Sequence, residues 1–135
     1  MSRPVTILLA AILTAIIGIA ALAVAVVAVV TIAGSTSSPA STMVLPGFDL
    51  VIVGLAVSIG LFGLAALGAA FGLSRRAAWA YPVAGIVHVV ALAGALIATA
   101  TSGPNAAVLT ALGVAIAVGG LATLTSPSSR SARWT

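Results

Sequence analysis

Apolar and polar positions alternate along this chain in long blocks rather than residue by residue. Four uncharged apolar runs, at about 5–33, 50–73, 77–100 and 106–124, are separated by short stretches of Ser, Thr, Pro, Gly, Asn and Arg. A bilayer core about 30 Å thick needs ~20 apolar residues per helix, and uncharged runs above ~18 are read as spanning segments. The pattern therefore predicts an all-α, polytopic membrane protein of four transmembrane helices in an up-down arrangement. The first run, through "ILLAAILTAIIGIAALAVAVVAVVTIA", is about twice the ~7–15 residues of a secretory h-region, so it is expected to be a retained membrane helix.

The connections fall where those cuts require them. "GSTSSPASTMVLPG" lies in the segment 34–49 and reads as a polar loop; "SRR" makes a tight turn, and "TSGPN" brings turn residues with Asn105 as a candidate N-cap. Pro82 belongs in the first turn of the third helix, where its missing N–H costs little. That placement moves the start of the third helix toward Trp79. The tail 125–135 is polar and basic, and the whole chain forms a single membrane domain.

Charge sets the expected orientation. The five cations, Arg3, Arg75, Arg76, Arg130 and Arg133, all fall on one face of a four-span arrangement. Positive charge is retained in the cytoplasm, so both termini and the "SRR" turn are expected there, in a bacterial plasma membrane. Trp79, Tyr81 and Trp134 lie on the same face, at the level amphipathic rings prefer. Arg75, Arg76, Arg130 and Arg133 are candidate contacts to anionic lipid head groups or plain orientation determinants.

Composition removes most function classes. With 62% hydrophobic and only 4% charged residues, the chain could not stay in solution as a globule, so lipid is the solvent for most side chains. The net charge of +4 comes from a handful of Arg on an apolar body, which points to lipid head groups rather than nucleic acid. The chain has no Cys, which excludes disulfides, thiolate catalysis and Cys-based metal sites. No carboxylate pair, Ser–His–Asp set, P-loop or GxGxxG can be assembled. No enzyme activity, cofactor or metal is expected.

Two features remain. Small residues recur at three- and four-residue spacing, the spacing that lets membrane helices approach closely. The stripes are Ala11, Thr14, Gly18, Ala21, Ala25 and Ala28 in the first run; Gly54, Ser58, Ala65, Gly68 and Gly72 in the second; Ala84, His88, Ala91, Ala95 and Ala98 in the third; and Thr110, Gly113, Ala117 and Gly120 in the fourth. The second run, with "GAAFG" at 68–72, is expected to be the central packing element through Gly54, Ser58, Gly68 and Gly72.

The other is His88, the single histidine of the chain. An ionisable group within a membrane helix suggests a proton relay, a haem ligand or a metal ligand. No second donor lies at that depth, which favours a neutral imidazole bonded to a hydroxyl on another helix. Counting 1.5 Å per residue from the cytoplasmic boundary puts His88 at ~16 Å and Thr14 at ~15 Å. Thr14 Oγ, or a carbonyl near it, is thus the expected partner. Asp49, the one acid, is expected to cap the second helix.

The function these features favour is a small non-catalytic accessory or scaffolding subunit, packed against other membrane subunits. The alternative is a small homo-oligomeric transporter or pore, including a holin-like pore, completed by further copies of itself.

Overall fold

The computed structural model describes residues 5–35, 48–101 and 107–126. They form four α-helices: α1 Val5–Ser35, α2 Phe48–Ser74, α3 Ala80–Thr101 and α4 Ala107–Thr125. Each expected run is one helix, with ends shifted by three residues at most. The largest shift is at α3, which begins at Ala80 rather than at 77 and so places Pro82 in its first turn. There the orphan N–H that proline lacks has no partner to lose. The expected loop, the Asn105 cap and the tail lie outside the described residues.

Why helices form throughout is a matter of solvent. In lipid no water satisfies backbone N–H and C=O groups, so each segment must satisfy its own. Three of the helices, α1, α2 and α3, are long and apolar enough to cross a bilayer. The fourth has 19 residues, about 28 Å at 1.5 Å per residue.

Contacts between helices run α1–α2, α2–α3, α3–α4 and α4–α1, which closes a ring of four. The pairs are antiparallel. Gly18 meets Gly63 and Ala25 meets Gly60 across α1–α2, while Ala95 meets Gly113 and His88 meets Gly120 across α3–α4. As one partner moves up its helix, the other moves down.

The core sits at one end of this ring. Ile7, Ala10 and Ala11 from α1, Ala69 and Leu73 from α2, Ala80, Tyr81 and Ala84 from α3, and Leu124 from α4 are all buried together. Most are alanines, so four backbones can converge. Toward the other end packing loosens: no described residue is buried in α3 beyond His88, nor in α4 before Ala117. A groove of about 500 Å³ opens there between α3 and α4, lined by Leu96, Thr99, Thr110, Val114 and Val118 among others.

The distribution of sizes is the reverse of a soluble bundle. Large aliphatics face outward, among them Leu50, Val51, Ile19, Val30, Leu61, Ile86 and Ile97. Ala, Gly, Thr and His make up most of the interior, with Ile7, Leu73, Tyr81, Val87 and Leu124 among them. An apolar outer surface of this extent is stable only against lipid or other apolar partners.

The α2–α3 connection is a helix end of defined type. Arg76 adopts φ 58°, its N–H reaches the Leu73 carbonyl at 3.0 Å, and the Ala77 N–H reaches the Gly72 carbonyl at 2.9 Å. This pair of bonds is a Schellman motif, with Arg76 in the left-handed position that glycine usually fills. Ala77 then packs against the core. The "SRR" turn is therefore tight because the helix cap itself reverses the chain.

Candidate functional site: a buried histidine against glycine

His88 is fully buried. It lies one turn above Ala84 on α3, whose carbonyl is 2.8 Å from His88 Nδ1. A carbonyl can only accept, so Nδ1 carries the proton and donates it to Ala84. In the neutral imidazole this fixes the Nδ1–H tautomer and leaves Nε2 as a lone pair. Among the described residues Nε2 has no hydrogen-bond partner.

What Nε2 meets instead is α4. A Cβ added at Gly120 would overlap His88 Nε2 and Cδ2 and would come within 2.8 Å of Cε1. The imidazole edge thus occupies the space that any side chain at position 120 would claim. Gly120 is required here by close approach. Seven residues further along α3 and seven back along α4, the same pairing repeats: a Cβ at Gly113 would stand 3.5 Å from Ala95 Cβ.

The expected bond from His88 to Thr14 is not formed. Thr14 is also fully buried, but its hydroxyl donates to the Ala10 carbonyl on its own helix at 2.7 Å. The reason is local geometry. A Thr or Ser in a helix can always reach the carbonyl four residues back, without ordering a second helix. Thr31, Ser58, Thr99 and Thr125 do the same, at 2.8, 2.8, 2.7 and 2.9 Å. These hydroxyls quench themselves and leave the helix contacts to shape.

The packing face expected for α2 is only partly used within the chain. Nothing lies within 4 Å of a Cβ placed at Gly54 or Gly68, and Ser58 is exposed and bonded to the Gly54 carbonyl at 2.8 Å. Of the four residues, Gly72 alone makes a tight contact: an added Cβ would stand 2.6 Å from Ala80 Cβ and 3.0 Å from the Trp79 ring. The α1 contact falls instead on Ala56, Gly60 and Gly63. Gly68 is five residues beyond Gly63, about 140° around the helix. The face carrying Gly54, Ser58, Ala65 and Gly68 therefore points away from α1.

Arg75 and Arg76 are exposed at the closed end of the bundle. The Arg75 guanidinium lies 4.3 Å from the centre of the Phe71 ring, so its stem covers an aromatic face while the charge stays outside. Arg3, Arg130 and Arg133 lie outside the described residues. Asp49 falls in the first turn of α2. Among the described residues, no three His, Cys, Asp or Glu side chains gather where they could hold a metal ion.

Comparison with protein families, with curated proteins and with solved structures finds no match.

Proposed function

We propose that this chain is a four-span bacterial plasma-membrane protein, with both termini and the Arg75–Arg76 turn in the cytoplasm. In this reading it is a non-catalytic accessory subunit that packs against other membrane subunits. The observation carrying it is the outward face of α2. Gly54, Ser58, Ala65 and Gly68 leave an exposed small-residue stripe that none of the described helices covers. Small residues at this spacing are what helix association in lipid exploits, since there is little hydrophobic drive between membrane helices.

The interior supports the non-catalytic part. Among the described residues His88 is the one fully buried group that can carry charge, and the hydroxyls of Thr14, Thr31, Ser58, Thr99 and Thr125 bond their own helices. Transport paths and intramembrane catalysis need polar groups facing a cavity. Arg75 and Arg76 fit anionic head groups at about 1 kcal/mol per charge near the surface.

Purification in mild detergent with mass spectrometry of co-eluting chains tests the reading. Stoichiometric foreign subunits, lost in Gly68→Leu, are the expected result. A clean homo-oligomer lost in the same variant would replace it with the transporter or pore alternative.

A further inference from the structure

We infer that the His88–Gly120 contact is a proton-sensitive latch between α3 and α4: the bundle closes on the neutral imidazole and opens at this level when the ring is protonated. The inference goes beyond the accessory role and does not depend on it.

The geometry has three parts. First, Nδ1 is committed, since its proton is donated to the Ala84 carbonyl at 2.8 Å. A second proton can enter only at Nε2. Second, that nitrogen is buried, has no partner, and faces the α-carbon of Gly120. A lone pair tolerates a C–H group opposite it and gains weakly from it. An N⁺–H in the same place has a C–H group in front of it and no acceptor. Third, no acceptor is bonded to it: the Gly120 carbonyl already receives the Thr123 hydroxyl at 2.8 Å, and the Thr14 hydroxyl, which donates to Ala10 at 2.7 Å and keeps its acceptor lone pairs, makes no bond to the ring.

No countercharge faces the ring from any helix packed on α3. Residues 5–35 of α1 and 107–125 of α4 contain no titratable side chain. The one in α2 is Asp49, in the turn of that helix farthest from the core, and α3 itself adds Tyr81, two turns below. A buried imidazolium without partner or countercharge is unfavourable, so the charged ring can be accommodated only if α4 moves off and admits water or head groups. The small side chains of this contact make such a movement cheap: what must separate is glycine from a ring edge, and two turns outward Gly113 from Ala95.

The chain has no cysteine and one histidine, so both halves of the process can be followed without background. The full-length protein in nanodiscs, with histidine labelled by nitrogen-15, gives one imidazole whose tautomer and protonation are read directly by NMR. In parallel, a thiol is placed at the fully buried Ala117, one turn from Gly120 on α4, as Ala117→Cys. The control is Ala56→Cys, only 2% exposed, on α2. The ratio of their labelling rates cancels the pH dependence of the thiol.

The expected result is the Nδ1–H tautomer at high pH, and conversion to imidazolium in step with the labelling ratio. For one linked proton, the open population rises by up to about tenfold per pH unit. The pH dependence of the ratio should vanish in His88→Asn, or in His88→Met if Asn does not assemble. Protonation with a constant ratio would overturn the latch, as would an imidazole that stays neutral down to about pH 5, a rise in both thiols together, or a rise retained in the His88 variants.

Discussion

Gly18 and Gly63 face each other across α1 and α2 with their backbones in contact. A Cβ on Gly18 would stand 2.9 Å from the Gly63 carbonyl oxygen, and a Cβ on Gly63 would stand 2.9 Å from the Gly18 carbonyl oxygen. The relation is reciprocal because the helices are antiparallel and cross at these two residues. Backbone approach at this distance lets α-hydrogens point at the opposing carbonyls. It also removes any lateral freedom at the crossing.

From that contact comes a clear ranking of glycine substitutions. Gly18→Ala or Gly63→Ala must push carbonyl against methyl, and backbone yields less readily than a side chain. A loss of about 1–3 kcal/mol is expected, the range for overpacking. Gly68→Ala and Gly54→Ala, with open space around them, should leave the isolated chain unchanged or slightly more stable, because Ala is the better helix former by ~1 kcal/mol. Reversible unfolding in mixed micelles measures both. Equal effects at Gly63 and Gly68 would contradict the placement of the α1–α2 contact.

How much of this could be read from the sequence depends on what each feature requires. The helices follow from run length alone, and the ends from Pro82 and the double arginine. The stripes in α1, α3 and α4 name residues that do meet: Gly18 and Ala25, His88 and Ala95, Gly113 and Gly120. In α2 the stripe meets the rest of the chain at Gly72 alone, while Gly54 and Gly68 face open space and the α1 contact falls on Gly60 and Gly63. Glycine and alanine occur on nearly every side of that helix, and only the partner's position decides which side is used. The His88–Thr14 bond failed for a different reason. Equal depth brought the two residues to one level, but depth carries no information on the competing carbonyl at Ala10, always within reach of the Thr14 hydroxyl.

That competition makes the contribution of Thr14 small. Thr14→Val keeps the shape and removes a hydroxyl whose bond lies within its own helix. The expected change is below the ~0.6 kcal/mol average of interhelical hydrogen bonds in membranes. Thr14→Leu, by contrast, adds volume at a fully buried site and should cost about 1–3 kcal/mol. A large loss in Thr14→Val would restore a hydroxyl bond between helices.

Gly120 should be the least tolerant glycine of α4. Even alanine there overlaps the His88 ring, whereas Gly119, whose added Cβ would stand 3.7 Å from Leu13 Cδ1, has room for a methyl. Gly120→Ala is expected to weaken α3–α4 packing by about 1–3 kcal/mol, and Gly119→Ala by much less. Pairing Gly120→Ala with His88→Ala removes the obstructing ring. The double variant should be less destabilised than the sum of the two single ones, by an interaction of about 0.5–3 kcal/mol. Strict additivity would mean that the two residues do not meet.

Arg76 tests the meaning of the basic turn. A left-handed backbone costs a residue with a Cβ about 1–2 kcal/mol, and glycine removes that cost while adding freedom to the unfolded chain. Arg76→Gly should therefore hold or slightly raise stability, Arg76→Ala should stay near the parent, and Arg76→Val should fall below both, since a branched Cβ fits a positive φ worst. If stability is not what keeps an arginine at this position, its charge is the remaining property, and orientation is where charge acts. In intact cells, a thiol at the exposed Thr101 should react with an impermeant reagent, and one at the exposed Ala78 only after permeabilisation. Arg75→Ala combined with Arg76→Gly keeps the turn and removes two of five cations, so a fraction of molecules should then label at Ala78 from outside. Unchanged labelling in that variant would assign orientation to the remaining arginines, and labelling at Ala78 in the parent would reverse the topology.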